Sequence, residues 1–432
     1  MYCCFMRILF ASDTYVPQIN GVSVVVAGAA AGMLARGWAT DVVAPQYPAL
    51  AHGRDTRSAV GSLVVPSTRM RSIPVPRYPE VRAVLPNARR MSAAFDAHQP
   101  DVVFCATEFV IGSLAMREAT RRRLPVVTTF QTDFGRYARS WGLPWLAGPA
   151  ERYLAAFHRR SDCVLTPSGP SATLLQRIGV ADPLVWGCGV DTEIFHPRYR
   201  GLLPLSSAES APIGTPVFTY LYVGRLAPEK NITVILDAFT ALQQVVDPST
   251  VRLLIAGGGP SAATLARKAP SGVTFLGYVD RLRDLPSLYA SSDAFVFASE
   301  TETLGLVVLE AMASGLPVLA VPAGGVADHL RNNVNGLAVA AGGQTVGAAS
   351  MSAAMERVAT DEPLRVQLAA GARTTATALR WDAEYDRLDG LCRTLLGVSV
   401  ATAARGADRT SAATPNRPAS GPALAMGTLN SA

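Results

Sequence analysis

Val217-Phe218-Thr219-Tyr220-Leu221-Tyr222-Val223-Gly224-Arg225-Leu226-Ala227-Pro228-Glu229-Lys230-Asn231 is the stretch from which the rest of the chain can be ordered. An unbroken apolar and β-branched run stops at a glycine, the glycine opens a turn, and two cations five residues apart precede a helical pattern. Such a run, followed by turn and helix, is how a parallel strand buried on both faces reads, and it predicts an α/β protein. The pattern recurs downstream at Val251–Ala256, Val273–Leu276, Ala294–Ala298, Val318–Val321 and Gly336–Val339. Upstream it predicts strands at Arg7–Ala11, Thr40–Ala44, Leu63–Pro66, Val102–Cys105, Val126–Thr129 and Cys163–Pro167, with a helix over Asn20–Gly37. Pro197–Pro216 holds four prolines and no periodicity, which marks a linker. The expectation is two doubly wound domains, 1–197 and 217–380, joined by 198–216 and facing each other across a cleft. Ligands of such sheets bind beyond the carboxyl ends of the strands. Residues 381–397 predict a closing amphipathic helix, and 398–432, rich in Ala, Ser, Thr, Gly and Pro, a disordered tail.

Of the 432 residues 49% are hydrophobic and 17% charged, enough for two cores and unlike a disordered chain. The net charge of +6 resides in the front half, where residues 1–195 carry 20 Arg against 14 acids. That asymmetry suits an anionic partner or a membrane surface better than a uniformly coated nucleic-acid binder, and an Arg-rich solvated surface fits it equally. Cysteines at 3, 4, 105, 163, 188 and 392 form no CxxC pair and no metal-ligand spacing, so no metal site is expected. Several sit in apolar runs as reduced thiols would, and the protein is expected to be cytoplasmic. No run approaches the about 18 apolar residues of a membrane span. The first ten residues lack a basic leader region and run into a strand pattern, so they do not read as a signal peptide, and Met6 is a candidate start of the folded chain.

The chemistry concentrates at two loops. Arg225 and Lys230 follow the first strand of the second half, and only positions 230 and 268 carry Lys among 39 basic residues. A compact point charge at that place points to a pyrophosphate, although a capped helix with solvated charges would look the same. After the strand Ala294–Ala298 comes Ser299-Glu300-Thr301-Glu302-Thr303-Leu304-Gly305-Leu306-Val307-Val308-Leu309-Glu310-Ala311. Glu302 is expected at the loop–helix junction, with Glu310 about 12 Å further along if the interval is helical. A nucleotide sugar carries hydroxyls on hexose and ribose with a diphosphate between them, and a carboxylate at each end can accept from those hydroxyls. The helix start at Leu304, Gly305 and Leu306 would offer amides to the phosphates. Asn20-Gly21-Val22 at the mouth of the first domain lets backbone approach a ligand. Gly257-Gly258-Gly259-Pro260 and the strand end Gly277-Tyr278-Val279 offer backbone toward a nucleobase, or are plain turns. Neither GxGxxG nor a P-loop is present, which argues against a dinucleotide oxidoreductase or a P-loop NTPase.

With these residues in place the chain resembles the GT4-type retaining glycosyltransferases of GT-B fold over about residues 6–395. The matching motifs are Gly224-Arg225-Leu226-x-x-Glu229-Lys230-Asn231, the Glu302-x7-Glu310 pair followed by Gly315-Leu316-Pro317-Val318, and Val190-Asp191-Thr192-Glu193-x-Phe195-x-Pro197. Ser12-Asp13-Thr14-x-x-Pro17-Gln18-x-Asn20-Gly21-Val22-Ser23 and Gln131-Thr132-Asp133-Phe134-x-x-Tyr137 are similar to the GDP-mannose-dependent α-mannosyltransferases that build glycolipids. The resemblance implies two Rossmann-like domains, with the final helix crossing back to the first. It implies Arg225 and Lys230 on the donor diphosphate in place of a metal, Glu302 on the transferred sugar, Glu310 on the ribose and the Gly21 amide on the distal phosphate. No cofactor is implied; the nucleotide sugar, GDP-mannose by resemblance, is a substrate. Many relatives carry His where Gln131 stands, close to the transferred sugar. Gln hydrogen-bonds a hydroxyl but does not titrate. Asp133 would assist, or cap the helix that follows.

Ser67–Arg90 carries Arg69, Arg71, Arg77, Arg82, Arg89 and Arg90 against Glu80, interleaved with Met70, Ile73, Val75, Tyr78 and Val81. In similar enzymes this region faces the acceptor. Its prolines at 74, 76, 79 and 86 predict a loop, either docked shallowly on anionic lipid at the inner face of the plasma membrane or simply solvated. The expected function is therefore hexose transfer, mannose first, onto a lipid or glycolipid acceptor, with no nucleic-acid partner. The alternatives are a UDP- or dTDP-sugar transferred to a soluble metabolite, and a nucleotide-sugar-binding protein without turnover.

Overall fold

The computed structural model describes residues 6–18, 20–48, 65–75, 78–136, 142–187, 189–201 and 217–398. Cys3, Cys4, Cys188, Tyr137, most of the expected linker and nearly all of the expected tail lie outside the described residues. The first half builds a parallel sheet from β1 (Arg7–Ala11), β2 (Ala39–Pro45), β3 (Ser67–Met70), β6 (Val102–Cys105), β7 (Val126–Thr129), β8 (Cys163–Thr166) and β9 (Leu184–Val185), in the order β3-β2-β1-β6-β7-β8-β9. The second half builds another from β10 (Phe218–Val223), β11 (Val251–Ala256), β12 (Val273–Gly277), β13 (Ala294–Phe297), β14 (Val318–Ala320) and β15 (Gly336–Ala338), ordered β12-β11-β10-β13-β14-β15. Every residue of β6, β7 and β13 is buried, as strands between two helical layers require. In both sheets the strand order reverses, at β1/β6 and at β10/β13. The carboxyl ends at those switch points are where such folds leave a crevice.

Two connections tie the halves together. Leu304, from the loop after β13, is buried in the hydrophobic cluster of the first half beside Phe10, Val25 and Phe104. The last helix, Trp381–Leu395, crosses back onto α1 (Gly21–Ala35), burying Leu388 and Cys392. Its Tyr385 lies against the backbone of Gly32, where an added Cβ would stand 2.4 Å from Tyr385 Cδ2. Trp38 Nε1 donates to Asp389 Oδ1 at 2.6 Å and Trp186 Nε1 to the Glu384 carbonyl at 2.8 Å.

Three expectations need correction. The strand expected at Leu63–Pro66 falls instead at Ser67–Met70, paired in parallel with β2; Leu63 and Val64 lie outside the described residues. The stretch 67–90, expected as a loop, contains β3, an antiparallel ribbon of β4 (Ser72–Val75) and β5 (Tyr78–Val84), and the start of helix α2 (Ala88–His98). Pro74 fits because each strand of a two-stranded ribbon has one unpaired edge, where a missing N–H does no harm. Finally, Glu302 is not on the helix that carries Glu310. That helix begins at Leu306, because Gly305 has φ +74°, which no right-handed helix accommodates.

Candidate active site

The cation loop leaves β10 at Gly224 and is held from behind by the three glycines after β11. Gly257 adopts φ +137° and a Cβ there would lie 1.9 Å from the Gly224 carbonyl oxygen, while Leu226 N donates to Gly258 O at 2.8 Å. The triglycine thus packs under the cation loop, and the Gly277 carbonyl, accepting from Gly257 N at 2.7 Å, is committed to the same support. Val279 is half-buried against the core of the second half. A single turn at Pro228–Lys230 follows, and each cation of the loop meets a carboxylate. Arg225 Nη2 lies 2.6 Å from Glu229 Oε1, and Lys230 Nζ bonds Glu302 Oε1.

Ser299 Oγ donates to the same Glu302 oxygen at 2.9 Å. Burial pushes the Glu302 carboxyl up, and the Lys230 charge and hydrogen bond, helped by Ser299 and Arg225, more than reverse this, so it stays ionised below its ordinary range. The loop is backed by Ala323-Gly324-Gly325. Gly324 has φ +55° and a Cβ there would stand 1.9 Å from Glu302 O, which itself accepts from Gly325 N at 2.9 Å. Glu310 is buried, and its Oε1 receives Arg281 Nη2 at 2.6 Å and Nε at 3.0 Å while Tyr289 Oη donates to Oε2 at 3.2 Å. Each expected hydroxyl acceptor therefore has a cation of its own within the chain, which the sequence reading had not foreseen for Glu310.

The first half contributes the facing wall. Asn20 and Ser23 form a capping box at the start of α1, so the exposed Gly21 presents a first-turn amide with no intrahelical partner. A Cβ on Gly21 would meet nothing within 4 Å, so packing does not demand the glycine and the space beside it is open. Gln131, just past β7, is buried; its Nε2 donates to Thr129 Oγ1 at 3.0 Å and its Oε1 has no hydrogen-bond partner among the described residues. Thr303 Oγ1 reaches across to donate to the Gln131 carbonyl at 2.8 Å, fixing Glu302 beside Gln131 in space. Asp133 accepts from Arg136 N at 2.8 Å, which is the capping arrangement of the two that its sequence allowed. Asp13 accepts from Ile111 N at 2.9 Å and Thr107 Oγ1 at 2.7 Å, fastening the loop after β6; burial raises its carboxyl despite these bonds.

Residues 19–194 match Glycosyltransferase Family 4 and residues 217–361 match the family described as glycosyl transferases group 1. A GDP-mannose-dependent alpha-mannosyltransferase of Mycobacterium tuberculosis is 34% identical over 78% of this chain and 85% of its own length. The chain is a GT4-type glycosyltransferase. A protein of the same name from Corynebacterium glutamicum is 29% identical to the glycosyltransferase over 77% of this chain and 76% of its own. Anabaena HepE, crystallised with UDP and glucose, superposes with a TM-score of 0.70 at 18% identity, covering 90% of this chain and 100% of that one, and shares the GT-B fold. Among the described residues of the glycosyltransferase, no group of three or more His, Cys, Asp and Glu is placed to hold a metal ion, and no helix is long and apolar enough to cross a membrane.

Arg281, Thr303 and Gly324 were missed by sequence reasoning. Arg281 sits in Asp280-Arg281-Leu282-Arg283-Asp284, which reads as a solvated turn and gives no signal. Gly324-Gly325, a glycine pair shortly after a strand, was a signal that could have been used.

Proposed function

We propose that this glycosyltransferase moves a mannosyl group from GDP-mannose to a hydroxyl of a lipid or glycolipid acceptor, with retention at the anomeric carbon. The observation that carries the reading is the Lys230–Glu302 pair beside Arg225 at the β10/β13 switch point, tied to the first half by the Thr303–Gln131 hydrogen bond. The mannose and the guanine are supported by the names of the two relatives described above, and the lipid by the basic, apolar-flecked sequence at 67–90.

In this reading the bond between the sugar C1 and the distal phosphate oxygen breaks as the acceptor oxygen bonds C1 from the same face. The acceptor proton passes to the departing phosphate oxygen, so no residue of the chain acts as nucleophile. Negative charge grows on the diphosphate, and Arg225 and Lys230 stabilise it where a metal would otherwise be needed, the kind of contribution worth about 10²–10³ in rate per donor. Glu302 accepts from hydroxyls of the transferred hexose, and Gln131, its Oε1 unsatisfied by the chain, orients another. The helix start at Leu306, with Gly305 before it, gives amides to the phosphates. Asp133 keeps a structural place in this scheme.

The test is thermal shift and slow donor hydrolysis with GDP-mannose, UDP-glucose and UDP-GlcNAc, each with and without EDTA. Stabilisation and turnover by GDP-mannose alone, unaltered by EDTA, are expected. A response to a UDP-sugar alone would replace the donor, EDTA inhibition reversed by added metal would remove the role given to the two cations, and no response to any nucleotide sugar would leave a binding protein of another kind.

A further inference from the structure

Arg281 has no role in the scheme above, yet it makes the most directed contact in the nucleotide half of the crevice. It follows the loop after β12 and places both Nε and Nη2 on one oxygen of Glu310, at 3.0 and 2.6 Å. Its guanidinium lies over the ring of Phe195, 5.3 Å from the centroid, and Phe195 in turn meets Tyr289 edge-on at 5.8 Å. Tyr289 donates to the other Glu310 oxygen at 3.2 Å. The group is thus a stack of Phe195, Arg281, Glu310 and Tyr289, built on the Val190–Pro197 segment that ends the first half.

The arrangement is asymmetric in a way that matters for a ribose. An ionised carboxylate offers about four acceptor positions. Arg281 takes those of Oε1, Tyr289 takes one on Oε2, and a position on Oε2 is left. A planar fork on a single oxygen fixes the carboxylate rotamer, which a lysine ammonium, a point charge, does not do.

We infer that Arg281 is a positioning residue for the nucleotide half of the donor: it ties back one oxygen of Glu310 and leaves the other as the acceptor for a ribose hydroxyl. This rests on the reading of the crevice as a nucleotide-sugar site with Glu310 at the ribose. The motif Val190–Pro197 then gains a function, since Phe195 is the ring over which the guanidinium lies.

The test is calorimetric titration of GDP and 2′-deoxy-GDP, with UDP and 2′-deoxy-UDP alongside, into the full chain and its Arg281→Met, Arg281→Lys and Glu310→Gln variants at pH 7.5. The parent chain should prefer the ribonucleotide. Arg281→Met should lose about 10- to 100-fold in affinity, the size of a hydrogen bond to a charged group, together with the ribose preference. Arg281→Lys should recover part of the affinity, with the ribose preference still reduced; Glu310→Gln should lose the preference. Unchanged affinity and preference in Arg281→Met would overturn the inference, as would tighter binding, which would make Arg281 an obstruction. A weakening with ribose preference intact would reduce Arg281 to a structural contact and overturn it too. If the parent chain binds neither nucleotide, the donor-site reading itself fails and takes the inference with it.

Discussion

Replacing Lys230 by methionine separates what the lysine does for the fold from what it does for the reaction. The variant keeps most of the side-chain bulk and removes the cation from Glu302, in a pair whose side chains are only 12% and 16% exposed. Breaking a buried ion pair from one side destabilises by about 3–5 kcal/mol because the remaining charge is stranded. Ser299 and Arg225 still face Glu302, so the lower figure, about 3 kcal/mol, is expected. For a domain of this size that is a fall in Tm of about 6–12 °C. Adding Glu302→Gln removes the stranded charge and should restore all but about 1 kcal/mol, since replacing both partners is often near neutral. Turnover should fall about 10²–10³-fold in the single variant and stay low in the double one, because Arg225 is then the one cation of the two left to face the departing diphosphate.

The measurement is scanning calorimetry, since the tryptophans at 38, 141, 145, 186 and 381 all lie outside 217–380 and would report the wrong domain. The pH dependence supplies a second check. In the parent chain Glu302 is depressed below its ordinary 4.5, so its stabilisation is complete above that value and is lost as pH falls through the depressed one. In Lys230→Met burial acts with no lysine to oppose it and raises the carboxyl, so the penalty fades as pH falls and the gap between variant and parent narrows from pH 7 toward 4. A single variant melting within about 1 °C of the parent, a gap independent of pH, or a double variant that regains turnover with stability would each refute the reasoning.

Lys230→Arg keeps the charge but should still lose at least about tenfold in kcat, because a planar fork cannot follow both Glu302 and a phosphate as an ammonium can; steady-state kinetics with GDP-mannose checks it. Gly324→Ala, with its Cβ 1.9 Å from the Glu302 carbonyl and φ at +55°, should displace the Glu302 loop and lower kcat more than it lowers Tm. Gly32→Ala should destabilise by about 1–3 kcal/mol through overpacking against Tyr385, and Tyr385→Ala in the same chain should give back part of the loss, measured by chemical denaturation. At 67–90, Arg69 bonds the Val16 and Pro45 carbonyls and Arg82 the Ser72 carbonyl, whereas Arg71, Arg89 and Arg90 are exposed beside Ile73 and Leu85. Changing those three exposed arginines to glutamine should therefore lower partition onto anionic vesicles about 100-fold at about 1 kcal/mol each, with no change on neutral vesicles, as read by co-sedimentation.

The alternation of strand and helix was legible because a strand covered on both faces is rich in apolar and β-branched residues, so β6, β7, β11 and β13 stand in the sequence almost as they stand in the sheets. The ribbon at 72–84 was not legible, because prolines exclude only central strands and a sequence does not say whether a strand will have a free edge. The four charged residues of the site could be located from their positions after strands. Their pairing could not, since Lys230 meets Glu302 across 72 residues and Arg281 meets Glu310 across 29. Nor could the backing glycines be told from ordinary turns: Gly257 and Gly324 are required by the carbonyls of Gly224 and Glu302, two contacts that exist only once β10, β11, β13 and β14 lie side by side.

The two carboxylates are held by chemically different cations, and the difference matches the work assigned to each end. In the proposed scheme nothing is made or broken at the nucleotide end, so a rigid partner is an advantage: Arg281, over Phe195 and forked onto one oxygen, would keep Glu310 in a single rotamer while a ribose came and went. At the sugar end the charge distribution would change during the reaction. Lys230, bonded to Glu302, would be needed by the diphosphate as the glycosidic bond lengthened, and a flexible stem with a rotatable ammonium can serve both with little displacement. In a chain that uses arginine for nearly all of its positive charge, a lysine at 230 is the residue type that this transfer of allegiance requires.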